Sequence, residues 1–233
     1  MAETIYTIPI NEAFEKHSGC PFCGLHDDLE RDSLEYVMGA AMMNPDVREE
    51  TNRLGFCRNH LDKMMGMKNR LGLALLLESH MALIEKLLET PVSGRKGFFG
   101  GSKDSPIPSK AVIDISKNCF VCNRISSLME KYMSNAVYLW KSDEAFREKF
   151  SNQKSFCMEH AGMLLDTAGS ELDSKYLPIF NNTLLGLMKN HTAELKSNLT
   201  GFIKSFDHRN AGKTLTEEER KAVENIIIFL RNM

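Results

Sequence analysis

Cys20-Pro21-Phe22-Cys23 restricts this chain more than any other stretch, because it is answered downstream by Cys57-Arg58-Asn59-His60. The same pairing then occurs again, with Cys119-Phe120-Val121-Cys122 followed by Cys157-Met158-Glu159-His160. Thirty-three residues separate Cys23 from Cys57, and thirty-four separate Cys122 from Cys157. The six cysteines of the chain are all used, three with one histidine in each set. Three thiolates and an imidazole form a tetrahedral donor set of the kind Zn²⁺ prefers, and four protein donors close the coordination sphere, as at structural sites.

Linear spacing predicts one site from Cys20, Cys23, Cys57 and His60, and a second from Cys119, Cys122, Cys157 and His160. Cys57 and His60, like Cys157 and His160, stand three apart where a helix is expected to begin, so they project from one face of its first turn. The partial positive charge of a helix N-terminus favours the thiolate form of Cys57 and Cys157. Pro21 and Gly24 suggest a tight knuckle around the first cysteine pair. A knuckle plus a helix-start pair resembles treble-clef-like zinc modules locally, although a helical spacer stands where those have a β-hairpin. Zinc, two ions per chain, is the expected cofactor, and an iron–sulfur cluster on the same donors is the alternative. A redox dithiol would need a thioredoxin-like βαβ context, which the pattern lacks.

Comparison of the chain with itself extends the repeat beyond the ligands. A shift of 99 places Cys20 on Cys119, Leu29 on Leu128 and Arg48-Glu49 on Arg147-Glu148; a shift of 100 places Phe56-Cys57 on Phe156-Cys157; a shift of 111 places His80 on His191. Apolar spacing is helical through most of both halves, which predicts an all-α fold of two duplicated helical units, each clamped by a Cys₃His site, plus a C-terminal helix. The expected division is a first metal-binding repeat over 1–92, a Gly/Pro-rich linker over 93–110, a second repeat over 111–210 and the final helix over 211–233. Ile5-Tyr6-Thr7-Ile8 reads as a short strand. The first long helix is expected from Asp27, and Thr216-Glu217-Glu218-Glu219 is a capping box for the last one. Gly66, Asn69 and Gly72 predict a break that turns the following helix, and His80 with it, back toward the metal end.

Formal net charge is −2. Two bound Zn²⁺ and six thiolates would take it to −4 (−2 − 6 + 4), a balance that opposes a general nucleic-acid binder. The amino terminus has neither the basic nor the apolar region of a signal peptide, and no apolar run is long enough to span a bilayer. The expected location is the cytoplasm, where cysteine clusters signify metal rather than disulfides. The chain shows no nucleophile–base pairing, no His-Glu-x-x-His and no carboxylate pair with a defined role, so it reads as non-enzymatic, with protein as the expected partner. His80 and His191 are read either as partners of the metal sites or as ordinary helix histidines.

The duplicated Cys-Pro-Phe-Cys and Gly-Phe-Cys-x-x-His pattern resembles an uncharacterised bacterial family of mostly helical proteins. That resemblance covers nearly the whole chain and implies no particular activity. Three functions follow from the residues: an interaction or adaptor module with structural zinc, a thiol and metal redox sensor, or a metal- or cofactor-handling enzyme with a pocket near His80 and His191.

Overall fold

The computed structural model describes residues 4–16, 19–89, 113, 115, 117–210 and 214–230, and among them it is all helical, with no strand. The helices are α1 (Thr4–Glu15), α2 (Pro21–Met38), α3 (Pro45–Leu54), α4 (Arg58–Gly66), α5 (Arg70–Glu89), α6 (Phe120–Ser142), α7 (Glu144–Ser151), α8 (Met158–Glu171), α9 (Leu177–Ser205), α10 (Glu217–Arg220) and α11 (Ala222–Leu230), with short 3₁₀ turns at Ala40–Met43 and His208–Asn210. The expected linker over 93–110 lies outside the described residues. No described helix is long and apolar enough to cross a membrane.

Packing divides the chain into two compact units. One unit joins Met1–Asp27 to Met129–Met233, and the other is the continuous stretch Asp28–Leu128. α2 and α6 each contribute residues to both units. Within the first unit the core is aromatic. Phe14, Phe22, Phe146, Phe150, Phe156, Phe180 and Trp140 are all essentially inaccessible. Phe14 packs edge-on against Phe22 at 5.7 Å, its ring is tilted against that of Phe146 at 4.9 Å, and Phe150 lies 5.0 Å from Phe156. Within the second unit the core is aliphatic, built from Leu29, Leu34, Val37, Val47, Leu54, Leu73, Leu76, Val121 and Ile125.

Two local expectations are corrected. Ile5-Tyr6-Thr7-Ile8 is helical, not extended. Its β-branched residues favour a strand only weakly, and helical spacing lets Ile10, Ala13 and Phe14 bury one face, which outweighs propensity. Asn11 accordingly sits inside the helix, with its Nδ2 donating to the Thr7 carbonyl at 3.0 Å. The first long helix begins at Pro21 rather than Asp27, so Cys20 immediately precedes it and Cys23 lies in its first turn. Proline at the first helical position has the right φ and no missing bond to regret, so the residue that suggested a knuckle starts a helix instead.

Other boundaries follow the expected signals. Asn44 caps α3 by accepting from the Asp46 N–H at 2.9 Å, with Pro45 next in the chain. α4 and α5 are separate helices with the break at 67–69, where the Asn69 side chain accepts from the Gly72 N–H at 2.9 Å. Thr216 and Glu219 form the reciprocal capping box at α10. Lys221 then interrupts what was expected as one final helix, and α11 resumes at Ala222.

Candidate metal centres

Each cysteine motif of the sequence stands at a helix start. Cys20 and Cys23 flank the beginning of α2, Cys119 and Cys122 that of α6, and Cys57 and Cys157 are the N-caps of α4 and α8. The eight side chains converge into two groups, in each of which the donor atoms all lie within 4.8 Å of one another. One group is Cys20, Cys23, Cys157 and His160; the other is Cys57, His60, Cys119 and Cys122.

The partners are thus exchanged relative to the linear reading. The cysteine pair of each half meets the Cys-x-x-His of the other half, and the expected sets Cys20/Cys23/Cys57/His60 and Cys119/Cys122/Cys157/His160 do not form. The physical reason lies in the helix starts. Phe22, between the first two cysteines, is buried against Phe14 and Phe156 and stands 5.8 Å from the His160 ring, which draws the start of α2 to the start of α8. In the other unit, the Phe120 N–H donates to the Gly55 carbonyl at 2.9 Å and the Phe56 and Phe120 rings meet at 6.3 Å, which sets the start of α6 beside that of α4. Both cysteine pairs therefore sit on helical first turns, and the treble-clef-like knuckle is replaced by a site made of two helix N-termini.

In the first site the His160 Nδ1 faces all three sulfurs, at 3.5 Å from Cys20, 3.6 Å from Cys23 and 3.1 Å from Cys157. The Cys157 sulfur also accepts from the His160 backbone N–H at 3.5 Å. In the second site the His60 Nδ1 lies 3.2 Å from Cys57, 3.2 Å from Cys119 and 3.4 Å from Cys122. Both histidines are buried, at 2% and 3% exposure for His160 and His60. Sulfurs and a ring nitrogen arranged around one point, with two helix N-termini aimed at them, suit a small cation that neutralises thiolates. Each group could hold one metal ion.

Electrostatics follow from crowding three thiols together. Hydrogen bonds from the Cys20 and Cys23 thiols hold Cys157 far below the usual thiol range, against the effect of burial. Burial pushes Cys20 well above it, and its sulfur neighbours add to the rise. Burial, followed by the proximity of Cys119 and Cys57, pushes Cys122 up to about 12. Cysteine binds metal as the thiolate, so metal binding has to release the protons that these thiols carry.

The two sites differ around their histidines. His60 Nε2 donates to Glu30 at 3.0 Å, and Lys63 binds the other oxygen of the same carboxylate. Burial works against the charge on Glu30, but Lys63 and His60 outweigh it and hold its carboxyl below the ordinary range. With Nε2 as the donor, Nδ1 is free to face the sulfurs, the carboxylate–histidine arrangement that orients metal ligands. Glu30 and Lys63 escaped the sequence reading, because an ordinary i, i+3 helix spacing carries no mark of a partner on another helix. The corresponding positions of the second half are Met129 and Met163, so the first site lacks this arm.

His80 and His191 have different surroundings. His80 Nδ1 donates to the Asn52 carbonyl at 2.8 Å, and its ring supports the loop that leads into Cys57. Gly55 in that loop has φ 61°, and a Cβ there would lie 3.0 Å from the His80 ring, so both backbone and space require glycine. His191 instead lines a cavity of about 240 Å³ whose walls include Cys20, Cys157, Lys154, Glu194 and Phe229. Its Nδ1 is 3.5 Å from Glu194, whose other oxygen is 3.2 Å from Lys154. Burial moves His191 below its ordinary value, against the pull of Glu194. Neither histidine belongs to a donor group.

No curated protein and no solved structure matches this chain significantly. Over residues 1–233 the sequence fits a family of unknown function (DUF6062), and the chain belongs to that family.

Proposed function

We propose that this is a non-enzymatic cytosolic interaction or adaptor protein whose two Cys₃His groups bind structural zinc. The observation that carries the reading is that four side chains converge at each site, leaving a tetrahedral ion no open position for substrate. Thiolate-rich donors favour zinc over hard cations, and each ion ties segments far apart in sequence, as His60 is 62 residues from Cys122 and His160 is 137 from Cys23. A reducing compartment would keep these thiols available, which supports the cytosolic assignment. Internal duplication accounts for two such sites in one chain, with exchange of partners between the copies. Protein is the proposed partner class, since α5 presents exposed Met81 and Leu88 beyond its buried Leu76.

Metal analysis of protein purified without added metal tests the reading. Two equivalents of zinc, with a large fall in thermal stability after chelation, are expected. Absence of metal, or two chelated sites with unchanged stability, would sink it, and iron with acid-labile sulfide would replace zinc by the cluster reading. The cavity beside Cys20 and Cys157 favours one second reading, a small-ligand pocket next to the first site. Ligand-induced stabilisation that disappears in His191→Ala, without loss of metal, would support it.

A further inference from the structure

The two donor groups differ in how far they are shielded, and that difference assigns them different chemistry. In the first group Cys157 is buried and Cys20 and Cys23 are partly covered; in the second, Cys122 is exposed. Cys57, itself only partly covered, holds its sulfur 3.9 Å from that of Cys122. The third sulfur there, Cys119, is 5% exposed and faces the buried His60 ring.

We propose that Cys122 and Cys57 form an oxidant-sensitive pair: the second site is a redox modification site for peroxide, and the first is a metal clamp that survives the same exposure. This rests on the reading of both groups as metal centres. Oxidation of sulfur follows thiolate character and access; metal binding would supply the first at both sites, and Cys122 is the one exposed cysteine of the six. The Cys122 thiolate attacks one oxygen of hydrogen peroxide, the O–O bond breaks, and the departing hydroxide takes a proton to become water. The resulting sulfenic acid at Cys122 is then attacked by the Cys57 thiolate. A sulfur–sulfur bond forms, the sulfenic oxygen leaves as hydroxide, and a second proton makes it water. In balance, two thiolates, one peroxide and two protons give one disulfide and two waters, with both sulfurs oxidised and both peroxide oxygens reduced. His60 and Cys119 alone would then hold the cation too weakly to keep it. A thiol reductant and free metal would restore the site.

Cys57 is the resolving partner favoured by access, with its sulfur within reach of Cys122 at 3.9 Å. It caps α4 at the end of a loop, whereas Cys119 would have to leave a buried position. The disulfide would join residues 65 apart and lock the starts of α4 and α6 together without metal.

The test uses the full chain loaded with zinc, with two bound equivalents verified first, so that failure of the metal reading is seen before oxidant is added. Hydrogen peroxide is then added while a chromogenic chelator records released zinc, and remaining thiols are alkylated and mapped by mass spectrometry. One equivalent should leave at least about tenfold faster than the other, accompanied by a Cys57–Cys122 disulfide, with Cys20, Cys23 and Cys157 still reduced. Cys122→Ser should abolish the fast phase. Mapping of the unmodified chain decides the proposal independently of whether that variant retains its zinc. Simultaneous release from both sites, prior oxidation of the first site, a Cys119–Cys122 disulfide, or sulfinic acid at Cys122 without a disulfide would each overturn it.

Discussion

Removing ligands in pairs tests the exchanged partnership directly. If Cys57 works with Cys122, then Cys57→Ser and Cys122→Ser damage the same site, and combining them should cost little more than either alone. Cys57→Ser with Cys23→Ser should destroy both sites. The magnitude follows from the loops that the metals close. For the 62 residues between His60 and Cys122, a cross-link removes denatured-state entropy worth about 4 kcal/mol, and for the 137 between Cys23 and His160 about 5 kcal/mol. The same-site double variant should therefore lose about 4 kcal/mol, and the cross-site double about 9 kcal/mol. The latter equals or exceeds the whole stability of many domains, so that protein should be largely unfolded. Full metal-binding free energies are larger still, which makes these values a floor.

The readouts are bound zinc per chain and denaturant unfolding, interpreted as a double-mutant cycle. Each single variant should hold one equivalent, the Cys57/Cys122 double still one, and the Cys57/Cys23 double none. Pairing by linear order demands the reverse, one equivalent for Cys57/Cys23 and none for Cys57/Cys122. That reversed result would refute the exchange, whatever the stability data. Hydrogen exchange on Cys57→Ser adds a spatial check. Protection should fall at the first turns of α4 and α6, and persist at those of α2 and α8.

Four further outcomes follow from the same geometry. Glu30→Gln should weaken zinc at the second site about 10- to 100-fold and leave the first unchanged, as read by competition with a chelator. Gly55→Ala should destabilise the second unit by roughly 1–3 kcal/mol from its positive-φ backbone alone, with added cost from the His80 ring, as measured by denaturant unfolding. His80→Ala should lower stability by about 1 kcal/mol, chiefly through the Asn52 carbonyl left without its donor, while zinc content stays at two. Acidification should release zinc, because each bound cysteine must be deprotonated; affinity therefore rises with pH below the thiol range, and a pH-independent chelator competition would contradict it.

Helix starts and stops were legible because their signals are local. Asn44-Pro45, the Thr216 capping box and the Gly/Asn break before α5 each act within one or two turns, and each appears where its residues are. Ile5 to Ile8 misled for the complementary reason, since its strand-like side chains are overruled by the burial of Ile10 and Phe14 against distant residues. The eight candidate ligands were visible from composition and spacing, but Glu30 and Lys63 were not. Their role exists only once α2 lies beside α4, and Glu30-Arg31-Asp32 otherwise looks like any solvated helix face.

The partnership of the ligands was hidden for an energetic reason. Closing loops of 62 and 137 residues instead of loops in the mid-thirties costs only about 2 kcal/mol in all, since closure entropy grows as the logarithm of length. Near-equal spacings of 33 and 34 residues thus make linear pairing look natural without making it decisively cheaper. Against that small cost stands the burial of Phe22, and burying one such side chain contributes about 1.5–3 kcal/mol. Phe22 achieves this between Phe14 and Phe156, a position that brings Cys20 and Cys23 to Cys157 and His160. The second half has Val121 and Phe120 in the corresponding stretch, and Phe120 turns its backbone to Gly55. Bound metal would then close what the aromatic side chains have already brought together. Phe22→Ala should accordingly loosen the first site more than the second: its zinc should be the first taken by a chelator, whereas in the unmodified chain the second site, with its exposed Cys122, should yield first. Chelator kinetics on that variant, with mass spectrometric mapping of the freed thiols, measure the reversal, and an unchanged order of release would show that the ligands, and not the core, choose their partners.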